Sequence, residues 1–126
     1  MKQILKIVLL LAIAFTAGCY YDSEEKLYPA VASGCDLSNV TFAASVKPIL
    51  QASCWSCHSN AQANNSGGGI RIENHADVQT LAKNGKLMGT VKHSSGFQAM
   101  PLGGGQISAC EISQLQKWID NGTLNN

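Results

Sequence analysis

Charged and aromatic side chains are scarce in this chain of 126 residues, where they make up 13% and 6% of the sequence. The formal net charge is +1, and no basic stripe is present, which argues against nucleic acid as a partner. No internal repeat or low-complexity block stands out, so we expect one small domain with appendages. The glycine run at residues 67–69 is not followed by Gly-Lys-Ser/Thr, which excludes a phosphate-binding loop.

Long apolar runs are also missing, and the longest run is too short to span a bilayer. It extends from Ile7 to Phe15, after Lys2 and Lys6, and has the composition of a signal-peptide core. Residues 1–18 are therefore predicted to be a targeting segment.

The four residues that end at Cys19, Thr-Ala-Gly-Cys, resemble the lipobox of bacterial lipoproteins, although leucine is usual where Thr16 stands. The resemblance implies cleavage before Cys19 and lipidation of its thiol, and several acyl chains give stable membrane anchoring. Ordinary secretory cleavage that leaves Cys19 free is the alternative.

Residues 19–34 are polar and lack a sustained period, which predicts a flexible tether behind the lipid anchor. Asp22, Glu24 and Glu25 resemble the signal that sends some Bacteroidetes lipoproteins to the cell surface, but a solvated linker explains them equally well. We expect an exported, membrane-anchored lipoprotein on the periplasmic side or the cell surface, with the outer membrane favoured.

The strongest chemical signal is Cys54-Trp55-Ser56-Cys57-His58, the C-x-x-C-H signature of c-type haem attachment. Positions i, i+3 and i+4 share one face of a helical turn, so both thiols and the imidazole point the same way. The thiols can then add to the two haem vinyl groups while His58 coordinates the iron.

The same cysteines have three alternative interpretations. A zinc site needs a second Cys/His pair at similar spacing, and none follows the motif. A redox dithiol is typical of a βαβ context, which the sequence does not indicate. Two purely structural cysteines, in a lipoprotein without haem, remain the third alternative.

Apolar periodicity and capping residues predict short helices around this motif. Ser45 is expected to cap a helix with Pro48 in its first turn, and Ser108 with Glu111 forms a capping box. His75 is expected to be a solvated residue at a helix start. The predicted helices cover 45–52, 74–84, 87–92 and the segment from Ser108 to Asn121-Gly122.

A helix that leads into C-x-x-C-H, Met100-Pro101 in a downstream loop and a capped terminal helix together resemble class I c-type cytochromes. The chain is most similar to small monohaem cytochromes of Bacteroidetes and Planctomycetes, which carry Val-Lys-Pro-Ile-Leu before the motif, as residues 46–50 do here. The resemblance covers residues 35–123. It implies an all-α domain over 35–126, with about three to five short helices around one covalent haem and with the first and last helices crossing beside it.

The resemblance also implies His58 as the proximal iron ligand and a loop methionine as the distal one. We predict Met100, because Pro101 stiffens its loop, whereas core packing explains Met88 in its predicted helix. His93 is the main rival and Met88 follows it, since imidazole and thioether are both known axial ligands.

The chain departs from the family in one respect, because many class I cytochromes have a proline soon after the motif, whose carbonyl accepts the N–H of the proximal histidine. No proline lies between His58 and Met100. We expect a backbone carbonyl of the loop at residues 67–70, or water, to accept that proton instead.

Five cysteines are present, and the expected lipid and haem attachments account for three of them. Cys35 and Cys110 remain, and in an exported protein we expect them to form a disulfide; two buried free thiols are the alternative.

The haem motif and the two expected axial ligands predict a one-electron carrier rather than an enzyme. Its expected partners are redox proteins and the membrane. No carboxylate pair, Ser-His-Asp set or second haem motif is evident in the sequence. If Met100 does not bind the iron, a five-coordinate haem sensor or a protein that binds peroxide or gas is the alternative.

Overall fold

The structure, a computed structural model, describes residues 34–126 of the chain. The predicted signal peptide, the lipidation site Cys19 and the tether up to residue 33 lie outside the described residues. None of the helices in the described range is long and apolar enough to cross a bilayer.

Within residues 34–126 the regular secondary structure is entirely helical, so this part of the chain is all-α, as predicted. A π-helical turn runs directly into the first of five α-helices. The elements are the π turn Phe42–Val46, α1 Lys47–Ser53, α2 Trp55–His58, α3 His75–Lys83, α4 Lys86–Val91 and α5 Ala109–Asp120.

The first helical segment begins earlier than predicted, and Ser45 is not its cap. Thr41 Oγ1 accepts a hydrogen bond from the Ala44 N–H (3.1 Å), and the Val46 N–H donates to the Thr41 carbonyl five residues back (3.2 Å). This wider turn ends two residues before Pro48, which lacks an N–H and whose ring disfavours a regular preceding turn. The Thr41 cap and Pro48 therefore explain why the helix begins with a π turn.

The last helix, α5, forms as predicted because its end signals are local. Ser108 Oγ accepts from the Glu111 N–H (3.2 Å), and Glu111 Oε2 accepts from the Ser108 N–H (2.8 Å). Leu115 and Trp118 are buried in the core, and Gly122 follows the helix with a φ of 93°. A positive φ favours glycine, which explains why the helix stops there.

His75 is half-buried in the core, so the prediction of a solvated residue is wrong. Its Nε2 donates to the Thr123 carbonyl (2.9 Å), and its ring lies edge-on to Phe42 with centroids 4.8 Å apart. Trp118 contacts both rings, with centroid distances of 5.6 Å to Phe42 and 5.9 Å to His75. These aromatic contacts join the π turn, α3 and α5 into one core.

A disulfide joins Cys35 to Cys110, with their Cα atoms 5.5 Å apart, which is the pairing expected from the cysteine count. It links the segment before the π turn to the first turn of α5. Loop-closure entropy suggests a contribution of about 4–5 kcal/mol to stability for a loop of this length.

Candidate functional site

The C-x-x-C-H motif forms its own helical turn at the end of α1. The backbone bends at Cys54 (φ −131°), and α2 then contains the rest of the motif. The His58 N–H donates to the Cys54 carbonyl at 2.9 Å, which closes one turn between the first and last residues of the motif. Cys54, Cys57 and His58 are all half-buried. Their spacing of three and four residues places them on one side of the turn.

The backbone fixes the orientation of the His58 ring. Nδ1 lies 3.0 Å from the Ile70 carbonyl oxygen. Because a carbonyl can only accept, Nδ1 carries the proton and Nε2 keeps its lone pair. A carbonyl of the loop at residues 67–70 was expected in this role, and Ile70 provides it. This arrangement of a ring N–H on a carbonyl is the usual support of a metal-binding histidine.

The loop at residues 59–73 is held against the motif by further contacts. The Ile72 N–H donates to the His58 carbonyl (3.1 Å), and Trp55 Nε1 donates to the Ile72 carbonyl (3.2 Å). Gly67 is buried so close to the motif that a Cβ there would collide with the Cys57 carbonyl and lie 2.9 Å from His58 Nδ1. Close packing against the motif therefore requires glycine at this position.

One side of His58 faces a largely apolar cavity of about 300 Å³, at the small end of the range for ligand pockets. The cavity lies among α2, α3, α4 and the loops that follow α2 and α4. Its lining residues are Cys54, His58, Ile70, Ile72, Leu81, Lys86, Leu87, Thr90, Val91, Gly96, Phe97, Gln98 and Met100.

Of the three candidates for a distal ligand, Met100 alone is among the residues that line this cavity. Met88 instead packs against the hydrophobic core. His93 is exposed, and its Nε2 lies 3.0 Å from the Met100 carbonyl oxygen, which can only accept a proton. The structure thus brings Met100 together with Cys54 and His58 around one cavity and leaves Met88 and His93 outside its lining.

The position of Met100 at the cavity depends on the loop after α4, which folds back onto that helix. Phe97 packs on the backbone of Gly89, where an added Cβ would lie 2.5 Å from the ring. The Met100 N–H donates to the Thr90 carbonyl (3.1 Å). Sequence reasoning missed Thr90, Phe97 and Gly89, since no local pattern links α4 to a loop that follows it.

The protonation of Cys54 bears on the alternative of a redox dithiol. Burial, and to a lesser extent the nearby Glu111 carboxylate, together raise the pKa of the Cys54 thiol to about 11. Attacking thiols in redox dithiols have a lowered pKa, because the thiolate is the nucleophile. Cys54 therefore stays a neutral thiol at pH 7, which disfavours this alternative.

The donor set and the cavity fit the group that the motif predicts. Cys54, the His58 nitrogen with its free lone pair and the thioether of Met100 line the cavity, whereas Cys57, on the same turn as Cys54 and His58, is not among the lining residues. Within residues 34–126, no cluster of three or more His, Cys, Asp or Glu side chains is placed to hold a metal ion. The described side chains thus assemble no conventional zinc site of four such ligands, whereas imidazole and thioether are a known axial pair of haem iron.

Comparison with family models, curated proteins and solved structures found no match to this chain. No family is thereby shown, and the function proposed below is supported by the residues of the site.

Proposed function

We propose that this protein is a monohaem c-type cytochrome that carries single electrons between partner proteins. Cys54 and Cys57 would hold the haem covalently, with His58 and Met100 as axial ligands of the iron. The observation that carries the proposal is that Cys54, His58 and Met100 line one apolar cavity. Haem bound there supplies one reversible electron through the ferrous and ferric states of its iron.

Attachment needs no chemistry beyond the two thiols. Each thiol would add its S–H across one vinyl group of the haem, with the sulfur and the hydrogen going to the two vinyl carbons, so no oxidant and no leaving group would be required. The neutral state of the Cys54 thiol is compatible with this addition, because the S–H hydrogen is retained in the product. His58, whose Nδ1 is held by the Ile70 carbonyl, would offer Nε2 to the iron.

The identity of the distal ligand determines whether the protein carries electrons or binds a substrate. A thioether is a soft ligand that favours ferrous iron, so Met100 raises the reduction potential relative to a second histidine. If His58 and Met100 both held the iron, no coordination position would be open to a substrate. This supports an electron carrier over an enzyme or a gas sensor.

Partner proteins would approach where the cavity meets solvent. Ile70 and Phe97 line the cavity and are 42% and 41% exposed, respectively. Both side chains are thus accessible to a partner protein. The donor and acceptor of the electron are therefore expected to dock over these two side chains.

We infer that the protein works outside the cytoplasm, anchored by a lipid on Cys19. The Cys35–Cys110 disulfide supports export, because such bonds persist in oxidising compartments. The signal-peptide and lipobox patterns support the anchor. The periplasmic side and the cell surface are both consistent with these features.

Peptide mapping of the mature protein, made in a host that attaches c-type haem, tests the proposal. After acid extraction, one haem should stay on the peptide that holds Cys54 and Cys57. Cys54→Ala and Cys57→Ala should each lose one thioether bond, while the Cys35→Ala/Cys110→Ala control keeps both. Haem that extracts freely, or zinc in its place, would contradict the proposal.

A further inference from the structure

The end of α4 has an unusual residue at the position where helices commonly carry glycine. The His93 N–H donates to the Thr90 carbonyl (3.2 Å), and the Ser94 N–H donates to the Gly89 carbonyl (2.9 Å). These two bonds form a Schellman motif, whose left-handed residue is most often glycine. Here that residue is His93, with a φ of 52°. A residue other than glycine in this conformation is strained and persists only where the surrounding structure compensates.

The His93 side chain contacts the backbone of the predicted distal ligand. Nε2 lies 3.0 Å from the Met100 carbonyl oxygen, and because that oxygen can only accept, Nε2 donates. The Met100 N–H donates in turn to the Thr90 carbonyl, the same oxygen that accepts from the His93 N–H. The end of α4 thus holds Met100 on both its N–H and its C=O.

We propose that His93 is a positioning residue that holds Met100 in place as a ligand, and that this is why a histidine stands where glycine would suit the backbone better. The inference depends on the proposed function, since it concerns the sulfur that would bind the iron. The imidazole acts through the Met100 backbone and does not coordinate the metal itself.

Replacement of His93 by glycine separates this role from a merely structural one. His93→Gly relieves the backbone strain of the Schellman motif but removes the donor to Met100. His93→Gln keeps an N–H donor at a similar reach, because the Gln Nε2 occupies about the place of the His Nε2. A positioning role predicts weaker methionine ligation in His93→Gly, rescue in His93→Gln, and no loss of stability in His93→Gly.

Imidazole titration of the ferric holoprotein measures how firmly Met100 is held, because imidazole must displace the sulfur. Since His93 is exposed, the lost hydrogen bond should tighten imidazole binding by roughly two- to fivefold in His93→Gly. His93→Gln should stay within about twofold of wild type. The urea midpoint of His93→Gly should equal or exceed that of wild type.

His75→Ala is the matched control, because His75 also donates from Nε2 to a backbone carbonyl (2.9 Å, Thr123) but does not line the cavity. It should lower the urea midpoint and leave the imidazole affinity unchanged.

Equal imidazole affinity in His93→Gly and wild type would overturn the inference. An equal increase in imidazole affinity in His93→Gly and His93→Gln would overturn it as well. A gain that comes with a lowered urea midpoint in His93→Gly would assign His93 a structural role and overturn it too. Wild-type protein without covalent haem, or without methionine ligation, refutes the proposed function itself. That result is seen before any variant is compared.

Discussion

Gly67→Ala is the substitution that tests most sharply how the protein supports its proximal histidine. Gly67 is buried, and its φ is not in the left-handed region, so the change acts through contact alone. The added methyl would collide with the Cys57 carbonyl and lie 2.9 Å from His58 Nδ1 and 3.0 Å from the Ala63 Cα. Two of these three atoms belong to the backbone, which moves less easily than a flexible side chain.

The expected loss of stability has two parts. Overpacking typically costs about 1–3 kcal/mol. The loop must also move away from the motif, which breaks the bond from His58 Nδ1 to the Ile70 carbonyl and costs about 0.5–1.5 kcal/mol. We therefore expect Gly67→Ala to destabilise the holoprotein by about 1.5–4.5 kcal/mol in urea unfolding followed by circular dichroism.

The same variant should change the reduction potential in a defined direction. The carbonyl that accepts the Nδ1 proton makes the imidazole a stronger donor to the metal. Without that bond the ferric state is less stabilised, so the potential should rise. Protein-film voltammetry or a redox titration measures this shift.

Two glycines of the same chain provide controls. Gly69 has a φ of 78° and open space around it, so Gly69→Ala adds backbone strain of about 1–2 kcal/mol but leaves the potential unchanged. Gly105 has neither constraint, so Gly105→Ala should stay within about 0.5 kcal/mol of wild type. If Gly67→Ala matches Gly105→Ala in both stability and potential, the account of the proximal support is wrong.

The remaining predictions concern the distal ligand, the disulfide and the motif tryptophan. Met100→His should keep six coordination and lower the reduction potential, whereas Met100→Ala should bind carbon monoxide or cyanide readily. Both Met100 variants should lose the ferric sulfur charge-transfer band, and Met88→Ala should keep it. Retention of that band in Met100→Ala would place the ligand elsewhere. Cys35→Ala/Cys110→Ala should lower the free energy of unfolding by about 4 kcal/mol without a change in the absorption spectrum, and an unaltered urea midpoint contradicts the stabilising role of the bridge. Trp55→Phe removes the donor to the Ile72 carbonyl and should cost about 0.5–1.5 kcal/mol in urea unfolding, with no loss if water replaces that donor fully.

Features that depend on neighbouring residues were predictable from the sequence. The capping box of Ser108 and Glu111 and the end of the helix at Gly122 both follow from local chemistry. The C-x-x-C-H turn is also local, because its spacing alone places the three side chains on one face.

Features that depend on distant contacts were predicted only in part or not at all. His75 looks solvated in sequence because its partners, Thr123 and the rings of Phe42 and Trp118, come from other elements. The start of the first helix was misplaced because Thr41 caps a π turn that ordinary helix signals do not describe.

The hydrogen bond that supports the His58 ring was predictable in part. The absence of proline after His58 indicated that another carbonyl in the glycine-rich loop would accept the ring proton, but only the folded loop identifies Ile70. The contact of His93 with Met100 had no sequence signal except the lack of glycine after α4.

The central claim is tested most directly by the absorption spectrum of the purified protein. The spectrum is recorded in the oxidised and reduced states and after addition of carbon monoxide. A c-type haem between His58 and Met100 predicts sharp low-spin ferrous bands, a ferric sulfur charge-transfer band at the red end and no rapid binding of carbon monoxide. A haem spectrum without that band, with carbon monoxide bound at once, would contradict the electron carrier and favour a five-coordinate sensor or a protein that binds peroxide or gas.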